Sequence, residues 1–410
     1  MQGVFPTADV ALTGLQEAAS IKEAILALFS QGHRAIGIGR HGALEVAQTA
    51  HRHRIQLPDD LVLVGGHVRN GLWHTGTGNR VVGGLWQRDD PLSSDGAIFR
   101  VGDVDNPRED VTFEGVRTWI GPDAGKSTYP YDIRNGARVR VRDCEHRSEA
   151  PPLPIGAGVS GQAFCVGAGS WDVEISNNRA TVISEDDFCN FSSIFRRSGR
   201  VRVTGNIVAG FDSLAAAVDC EGLVAIGNQG MACRRVFFGK AAWYSAGPSV
   251  VRGVCLEANQ LFDSNGALWL GVAMLLAGDG GLIEDVLING AQVHAQPAGP
   301  GTNMIFAMTR EGGTIRDLRA TNVNVTTEAP LARLLGDPRA GRHARLRVVR
   351  FAHRERRGRA GLRRAGRLRA GHLVSPQRAG GGARGPGGMT PRRRCILSAQ
   401  CPCRDSASLC

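Results

Sequence analysis

A short pattern of alternating apolar and polar positions recurs along this chain. Each copy has an apolar residue, a variable residue, a second apolar or small residue, two variable residues and a turn residue, as in Val173-Glu-Ile175-Ser-Asn-Asn178. Alternation with a period of two predicts a β-strand with one buried face. The seven copies begin at Val111, Val139, Val173, Val201, Val254, Val286 and Leu318.

The spacing of the copies indicates a solenoid. Successive copies start 28, 34, 28, 53, 32 and 32 residues apart, and the step of 53 divides into two ordinary steps if Val224-Ala-Ile226-Gly-Asn228 is a degenerate eighth copy. In a repeat of this length each turn buries its apolar face against its neighbours. A second apolar stretch, such as Ala97-Ile98-Phe99, precedes many copies. We therefore expect at least two strands in each turn.

Charge divides the chain into an acidic body and a basic tail. The 410 residues carry a net charge of +11, but residues 331–410 contain 20 Arg, no Lys and three acidic residues, a net charge of +17. Residues 1–330 therefore have a net charge of −6. A mildly acidic body is not the electrostatic footprint of a nucleic-acid-binding protein, so we expect no specific nucleic-acid partner for it.

The tail, residues 336–410, has almost no apolar periodicity and cannot bury enough surface to offset its chain entropy, so we expect it to be disordered. One interpretation is an Arg-rich arm that binds anionic surfaces non-specifically. The interpretation that we favour is that the Arg, Gly, Ala and Pro residues come from a GC-rich gene read out of frame. In that case the tail would not be native sequence.

The cysteines and histidines form no metal-binding motif. Six histidines fall between His33 and His74 without a set of further ligands at typical spacing, so we expect them at the surface. The tail cysteines also lack the paired spacing of a zinc site. The remaining cysteines fall in or beside repeat strands, where a thiol packs as a small apolar side chain: Cys144, Cys165, Cys189, Cys220, Cys233 and Cys255.

Localising and nucleotide-binding signals are weak. Gly37-Ile-Gly39-Arg-His-Gly42 spells a dinucleotide-binding fingerprint, but no βαβ pattern follows it, so we predict no nucleotide site there. No stretch is long and apolar enough to span a bilayer, and no signal peptide is recognisable. The compartment stays open, with extracellular and virion-associated locations both compatible.

Two solenoid architectures share this kind of repeat. Val251-Arg-Gly-Val254-Cys-Leu256-Glu-Ala-Asn259-Gln-Leu261 matches the leucine-rich-repeat template, but most steps exceed that class's roughly 20 to 29 residues. An all-β, right-handed parallel β-helix fits the strand-like segments better, and a leucine-rich-repeat binding module is the remaining alternative. Asn178, Asn206 and Asn259 fall at equivalent corners, where we expect them to stack for structural reasons.

From about Ile21 to Thr327 the chain resembles the pectate-lyase-like superfamily of right-handed parallel β-helices, which includes carbohydrate-active enzymes and phage tailspikes. The amphipathic segment Ile21-Lys-Glu-Ala-Ile25-Leu-Ala-Leu-Phe29 resembles the helix that caps the N-terminal end of those proteins. The resemblance implies a lead-in over residues 1–20, a β-helix domain over residues 21–335 and the disordered tail over residues 336–410. It also implies a polysaccharide or other glycan as partner.

The segment Ser184-Glu-Asp186-Asp187-Phe-Cys-Asn190 is similar to the Asp-Asp segment of β-helix glycosidases. The resemblance implies Asp186 and Asp187 as acid/base residues of a glycoside hydrolase that needs no cofactor. The Gly-His-Gly and Arg-Ile-Lys motifs of polygalacturonases are absent, so that family's specific activity is not implied.

A second acid is expected from the adjacent turn, because neighbouring residues on a regular strand point to opposite faces. Asp212 is the candidate, since it lies eleven residues after Val201 as Ser184 lies after Val173. One turn further on come the predicted substrate-binding residues, whose cations and rings suit carboxylates and sugars: Arg234, Arg235, Lys240, Trp243 and Tyr244.

Two further functions stay open. In a polysaccharide lyase, calcium would be held by Asp186, Asp187 and Asp219 or Glu221, with Arg235 or Lys240 as the base. A non-catalytic tailspike, fibre or adhesion module would use the solenoid for binding alone, and it would form a homotrimer if it is tailspike-like. The spacing of the residues does not decide between these functions.

Overall fold

The computed structural model describes residues 7–47, 54–89, 97–124, 129–149, 162–182, 190–243, 248–264, 271–295, 303–310, 312–327, 333–335, 346–348 and 351–355. These residues form a solenoid of three long β-sheets, and each full turn contributes a strand to the first, second and third sheet in that order. Neighbouring strands pair in parallel. The prediction of at least two strands per turn is confirmed.

The first two sheets contain most of the described strands. Those of the first sheet are β1 (Ala8–Asp9), β3 (Ala35–Ile38), β6 (Val62–Gly65), β9 (Arg80–Val82), β13 (Thr112–Glu114), β17 (Arg140–Arg142), β20 (Glu174–Ser176), β23 (Ser198–Thr204), β26 (Cys220–Ile226), β29 (Ser249–Glu257), β32 (Gly281–Asn289), β35 (Thr314–Ile315), β36 (Leu318–Thr321) and β39 (Leu346–Val348). Those of the second sheet are β2 (Gly14–Gln16), β4 (Leu44–Val46), β7 (His67–Arg69), β10 (Leu85–Arg88), β14 (Arg117–Ile120), β18 (Glu145–Ser148), β21 (Arg179–Val182), β24 (Ile207–Ala209), β27 (Gln229–Met231), β30 (Gln260–Ser264), β33 (Gln292–Ala295), β37 (Val323–Thr327) and β40 (Phe351–Glu355).

The third sheet completes each turn. Its described strands are β5 (Arg54–Gln56), β8 (Leu72–Thr75), β11 (Ala97–Val101), β15 (Tyr129–Arg134), β19 (Phe164–Gly167), β22 (Asn190–Ile194), β25 (Ser213–Ala217), β28 (Arg235–Ala241), β31 (Gly271–Ala277), β34 (Asn303–Thr309) and β38 (Arg333–Leu335). A separate short pair joins β12 (Arg108–Glu109) and β16 (Gly136–Ala137).

The repeat that the sequence shows coincides with the first sheet. Thr112, Arg140 and Glu174, each one residue after the start of a copy, pair in register across β13, β17 and β20. Each copy therefore places its first and third residues towards the interior of the solenoid, where they are buried.

The degenerate eighth copy is present, but it begins one residue earlier than predicted. Val224 pairs with Arg202 and Cys255 on the neighbouring strands. Leu223 is consequently the inward residue and is fully buried, whereas the predicted inward residue Ile226 is exposed. A shift of one residue exchanges the two faces of a strand, so the predicted start at Val224 was wrong in register and correct in position along the solenoid.

The N-terminal end confirms a capping helix and corrects the predicted lead-in. The helix α1 (Ala18–Ser30) buries Ile21 and Ile25 on one face. It lies between β2 and β3, where later turns have a strand of the third sheet. However, β1 and β2 lie before α1 and already pair with β3 and β4. The solenoid therefore begins within residues 1–20 and not at residue 21.

The C-terminal boundary predicted at residue 335 is too early. Two strands beyond it continue the solenoid, because β39 pairs with β36 and β40 pairs with β37. Residues 356–410 lie outside the described residues, so their predicted disorder stays a prediction.

The scarcity of helix decides against a leucine-rich repeat. Among the described residues α1 is the one α-helix, which excludes a leucine-rich repeat with a helix in each turn. The fingerprint starting at Gly37 begins inside β3, ends before β4 and opens no helix. No helix in the described part of the chain is long and apolar enough to cross a membrane.

The interior contains a column of aromatic rings that runs along the solenoid axis. Successive ring centroids are 4.9–5.8 Å apart. Such contacts add about 0.5–1.5 kcal/mol per pair beyond the burial of area. The rings belong to Trp73, Trp86, Phe99, Phe113, Tyr131, Phe164, Phe191 and Phe211.

Three of the six cysteines predicted to pack in the core do so. Cys144, Cys220 and Cys233 are buried free thiols in the main core, and burial raises their pKa values to about 11, 12 and 12. Cys255 is only partly buried, and Cys189 lies outside the described residues.

A ladder of asparagines fixes the corner between the first and second sheets. The Nδ2 atoms of Asn178, Asn206 and Asn228 donate to the Oδ1 atom of the next asparagine along the axis, at 3.0, 2.8 and 2.8 Å. Each Oδ1 also accepts a backbone N–H from the previous turn, as Asn206 does from Asn178. The predicted structural stacking of Asn178, Asn206 and Asn259 is confirmed. Asn228 also belongs to the ladder, where it lies between Asn206 and Asn259.

We expect Asn206→Ala to lower the free energy of unfolding by about 2–5 kcal/mol. The substitution removes the hydrogen-bond partner of two buried donors on Asn178 and of the buried carbonyl of Ile175. The matched control is Asn177→Gly, since Asn177 is exposed at the same corner with a φ of 56° that Gly adopts freely. Urea unfolding followed by circular dichroism measures both. Equal stability of the two variants would contradict a stabilising role for the ladder.

A buried histidine makes the fold sensitive to acid. His146 in β18 is 3% exposed, its Nδ1 lies 3.0 Å from Thr118 Oγ1, and burial lowers its pKa from 6.5 to about 3. The unfolded chain binds a proton in that range while the folded chain does not, so stability is lost as pH falls from 6.5 towards 3.

We expect His146→Gln to reduce the fall in urea midpoint between pH 7 and pH 4. His33→Gln is the control, because His33 is exposed, and it should leave that pH dependence unchanged. A pH profile of His146→Gln parallel to that of the parent protein would show that other groups cause the acid sensitivity.

Candidate functional site

The outer face of the third sheet is buried, unlike those of the other two sheets. In β21 of the second sheet, exposed Arg179 and Thr181 alternate with buried Ala180 and Val182. In the third sheet, β22, β25 and β28 are buried at every position. Polar side chains on this sheet are therefore removed from solvent and need partners.

Two of the predicted site residues meet on this sheet in an ion pair. Asp212 directly precedes β25, and Arg235 is the first residue of β28, where it pairs in register with Ser213. An oxygen of Asp212 lies 2.8 Å from Arg235 and 3.8 Å from Arg234. The side chains of Asp212 and Arg235 are 0% and 4% exposed. These three residues, which we call the Asp212 cluster, form a desolvated charge centre.

Aromatic rings lie directly beside this cluster. The guanidinium carbon of Arg235 is 5.0 Å from the ring centroid of Phe238, and the Nζ atom of Lys240 is 4.2 Å from the same centroid. Trp243, just after β28, is almost buried and lies 4.1 Å from the guanidinium carbon of Arg310. The predicted binding residues on and after β28 are thus brought together around aromatic faces.

A second charged group lies on the same face, several turns closer to the N-terminus. Asp132 in β15 is fully buried and accepts hydrogen bonds from the Nε atoms of Arg100 and Arg134, at 2.9 and 3.0 Å. The side chain of Arg100 is 6% exposed and that of Arg134 is 25% exposed. We call Arg100, Asp132 and Arg134 the Asp132 cluster.

The remaining predicted site residues are not part of these clusters. Asp186, Asp187 and Tyr244 lie outside the described residues. Asp219 and Glu221 flank the start of β26, at the opposite end of β25 from Asp212. Asp219 accepts a hydrogen bond from the Val250 N–H, and Glu221 is exposed.

No described part of the chain brings together three His, Cys, Asp or Glu side chains that could hold a metal ion. The predicted calcium set includes Asp186 and Asp187, which the structure does not describe. Within the described residues, Asp219 and Glu221 therefore supply only two carboxylates at one corner, fewer than the six to eight oxygen ligands that calcium takes.

The sequence reasoning missed the Asp132 cluster and misplaced His74. His74 is only 7% exposed and pairs in register with Arg100, so its prediction as a surface residue was wrong. Cys165, predicted to pack in the core, instead pairs in register with Asp132, and its Sγ is 2.9 Å from Gln162 Oε1. A signal was available, since single charged residues interrupt the apolar third-sheet stretches around Phe99 and Tyr131.

No protein-family model and no curated protein sequence matches the chain. Several solved structures resemble it in overall fold, and three of them are described below. The catalytic domain of a GH87 alpha-1,3-glucanase in complex with nigerose has a TM-score of 0.52 at 11% identity, covering 83% of this chain and 67% of that one. A hyperthermoactive exopolygalacturonase from Thermotoga maritima has a TM-score of 0.51 at 10% identity, with coverages of 85% and 91%. The Streptococcus pneumoniae surface protein and adhesin PfbA has a TM-score of 0.51 at 11% identity, with coverages of 85% and 97%.

The fold is a right-handed parallel β-helix. At these identities the likeness concerns the fold alone, and one β-helix scaffold hosts several activities. The function of this β-helix must therefore be argued from its own third-sheet clusters.

We expect the buried pair in the Asp212 cluster to be strongly coupled. Asp212→Asn and Arg235→Gln should each destabilise the β-helix by about 3 kcal/mol, because each removes the nearest opposite charge from a buried charged group. The double variant should lose clearly less than the sum of the two.

The matched control is the exposed pair of Asp172 and Arg200, where the same kind of cycle should show little coupling. Additive losses at Asp212 and Arg235, measured by urea unfolding, would contradict a direct interaction between them.

Proposed function

We propose that the protein binds a polysaccharide along the outer face of the third sheet and hydrolyses it with a pair of carboxylates near the Asp212 cluster. The observation that carries this proposal is the desolvated contact of Asp212 with Arg235, beside Phe238 and Lys240. Burial of two opposite charges costs stability unless the geometry is good. Charged groups removed from solvent are therefore typical of functional sites.

A glycan suits the groups on this face. Sugar rings stack on aromatic faces, and their hydroxyl groups bond to charged and polar side chains. Trp243 and Lys240, each 8% exposed, are groups of these two kinds, and Phe238 packs beneath Lys240. Two of the three similar structures are named as a glucanase and an exopolygalacturonase, which supports a polysaccharide as the substrate class.

Asp212 is suited to the role of the ionised carboxylate. Arg235 and Arg234 supply opposite charge to it, and a neighbouring positive charge favours the ionised form of an acid. In hydrolysis an ionised carboxylate removes a proton from water or attacks the sugar, while a protonated acid donates to the leaving glycosidic oxygen.

The proton donor is assigned to Asp186 or Asp187. These residues lie four and three positions before Asn190 in the sequence. Asn190 pairs in register with Ser213, the residue that follows Asp212. Asp132 is too distant to serve, because β15 is three strands from β25, about 14 Å at the usual strand spacing. Glycosidases hold their two carboxyl groups within roughly 5 to 9.5 Å.

A second candidate is a non-catalytic glycan-binding or adhesion module. It is favoured by the arginine contacts that hold Asp212 in a fixed position, and by the similarity to the adhesin, of which 97% is covered. A calcium-dependent lyase has less support, because Asp219 and Glu221 lie at the end of β25 away from Asp212.

The proposal is tested with the full-length protein on a panel of neutral and acidic polysaccharides. Release of reducing ends and ultraviolet absorbance of unsaturated ends are followed together. We expect reducing ends without unsaturated ends. We also expect a loss of about 10²-fold or more in Asp212→Asn and in one of Asp186→Asn and Asp187→Asn, since general acid–base groups contribute that much.

Asp172→Asn is the control. Asp172 lies just before β20 of the first sheet, away from the third sheet, and pairs with the exposed Arg200. Calcium-dependent unsaturated ends would replace the hydrolase with the lyase. Saturable binding without any cleavage would replace it with the adhesion module.

A further inference from the structure

The outer face of the second sheet loses its charges in the C-terminal half of the solenoid. On β14, β18 and β21 one outward row consists of Arg117, Glu145 and Arg179, which pair in register. The same row continues with uncharged residues on the next five strands: Ile207, Gln229, Gln260, Gln292 and Asn324. A flat, uncharged surface of this kind is typical of an interaction site.

A second outward row runs beside the first, two residues further along each strand. Met231 is 51% exposed and pairs in register with Phe262. The ring of Phe262 stacks on that of His294, with centroids 5.8 Å apart and an interplanar angle of 7°. We call the two rows on β27, β30 and β33 the amide face, which consists of Gln229, Gln260, Gln292, Met231, Phe262 and His294.

The amide groups of this face have unused hydrogen-bonding capacity. Among the hydrogen bonds of the described residues, none uses the side-chain amide of Gln229, Gln260 or Gln292. Outward charges on the first sheet are instead paired from turn to turn, as Arg252 is with Glu284. A carboxamide both donates and accepts hydrogen bonds, so a row of carboxamides can bind an identical row.

The face does not suit a charged partner. The one formally charged residue in β27, β30 and β33 is Asp263, which lies in a bulge at the end of β30 with a φ of 49°. It is exposed and lies beyond the row of Phe262, at the rim, where water screens its charge. The Arg-rich residues 356–410 of this chain would therefore find no row of acids on this face.

The composition of the second row favours a protein partner over a sugar. Stacking covers one aromatic face of Phe262 and one of His294, which leaves less ring surface for a sugar to stack on. The exposed thioether of Met231 is flexible and packs well against ring edges. Methionine and aromatic residues are also enriched in protein–protein interfaces.

Both rows are symmetric about β30. The row of amides has one glutamine on each side of Gln260, and the second row has Met231 and His294 on either side of Phe262. A two-fold axis along β30 therefore places Gln260 opposite its own copy and Met231 opposite the His294 ring of a second chain. An isologous interface requires such a self-complementary surface.

We propose that the amide face docks a second copy of this chain, in a two-fold dimer whose solenoids run antiparallel. Gln229 of each copy then lies opposite Gln292 of the other, so the amides pair across the interface. The inference goes beyond the proposed function, because the interface uses the second sheet and leaves the outer face of the third sheet to the polysaccharide.

The size of the face predicts a weak dimer. With the flanking strands β24 and β37 it spans five strands, about 19 Å along the solenoid axis at the usual strand spacing. A standard interface buries about 800 Å² on each partner, and a face of this length and two rows is smaller. Association should therefore depend on concentration within the accessible range.

The test is sedimentation velocity of the full-length protein over a concentration series. We expect the mass to rise from monomer towards dimer. Gln260→Glu and Gln260→Lys should each raise the dissociation constant at least about tenfold, because the two-fold axis places like charges opposite each other. Circular dichroism checks that both variants fold, as expected for substitutions of a partly exposed outward residue.

Mixing the two variants tests the two-fold axis directly. In an equimolar mixture the Glu of one chain lies opposite the Lys of the other, so association should return to at least the level of the parent protein. A partner of any other kind would give no such rescue, and neither would a contact between copies that lacks the two-fold axis through Gln260.

Two variants serve as controls. Gln31→Glu changes an exposed residue just after α1, outside the three sheets, and should dimerise like the parent protein. Gln229→Glu lies on the face but opposite Gln292, so it should weaken the dimer less than Gln260→Glu does.

A parent protein that stays monomeric at every concentration would overturn the proposal. So would a dimer that Gln260→Glu leaves unchanged, or variants that do not recover on mixing. Binding of a neutral polysaccharide by a monomeric parent protein, lost in Gln260→Glu, would assign the face to a glycan in place of a second copy.

Discussion

The structure depends on the parallel, in-register stacking of successive turns. Each turn presents the same positions to its neighbours at the strand spacing of about 4.8 Å, so a side chain meets its own equivalents above and below. The aromatic column and the asparagine ladder are both consequences of this constraint. Apolar positions stack into a continuous core, and polar corner positions satisfy one another through hydrogen bonds from turn to turn.

The same stacking creates the candidate site. On an outward face, charges placed at one register in neighbouring turns come close enough to pair, and this occurs on all three sheets. On the first sheet, Glu284 is held between Arg252 and Arg316, both of which are half-exposed. On the third sheet, Asp132 and Asp212 are fully buried, and one arginine partner of each, Arg100 and Arg235, is only 6% and 4% exposed. The geometry is similar, and the difference in solvent exposure is what gives the third sheet the stronger electrostatic interactions.

The two charge clusters on the third sheet differ in what surrounds them. The Asp212 cluster joins charge to aromatic surface, which suits a sugar ring and a reacting bond. The Asp132 cluster instead holds a fully buried carboxylate between two guanidinium groups. A rigid solenoid holds two such clusters at a constant separation, because the strands between them are continuously hydrogen-bonded.

The sequence by itself determined the solenoid, because alternation and spacing report which side of each strand is buried and how long a turn is. It also placed Arg235 one turn after Asp212, and the structure pairs Arg235 with Ser213, the residue that follows Asp212. It could not determine the register of the copy at Leu223, where both Leu223 and Val224 are apolar and only pairing with β23 and β29 chooses between them. Nor could it reveal the Asp132 cluster. Arg100, Asp132 and Arg134 lie on two strands about 30 residues apart, and only the tertiary structure decides that they share a face and that this face is removed from water.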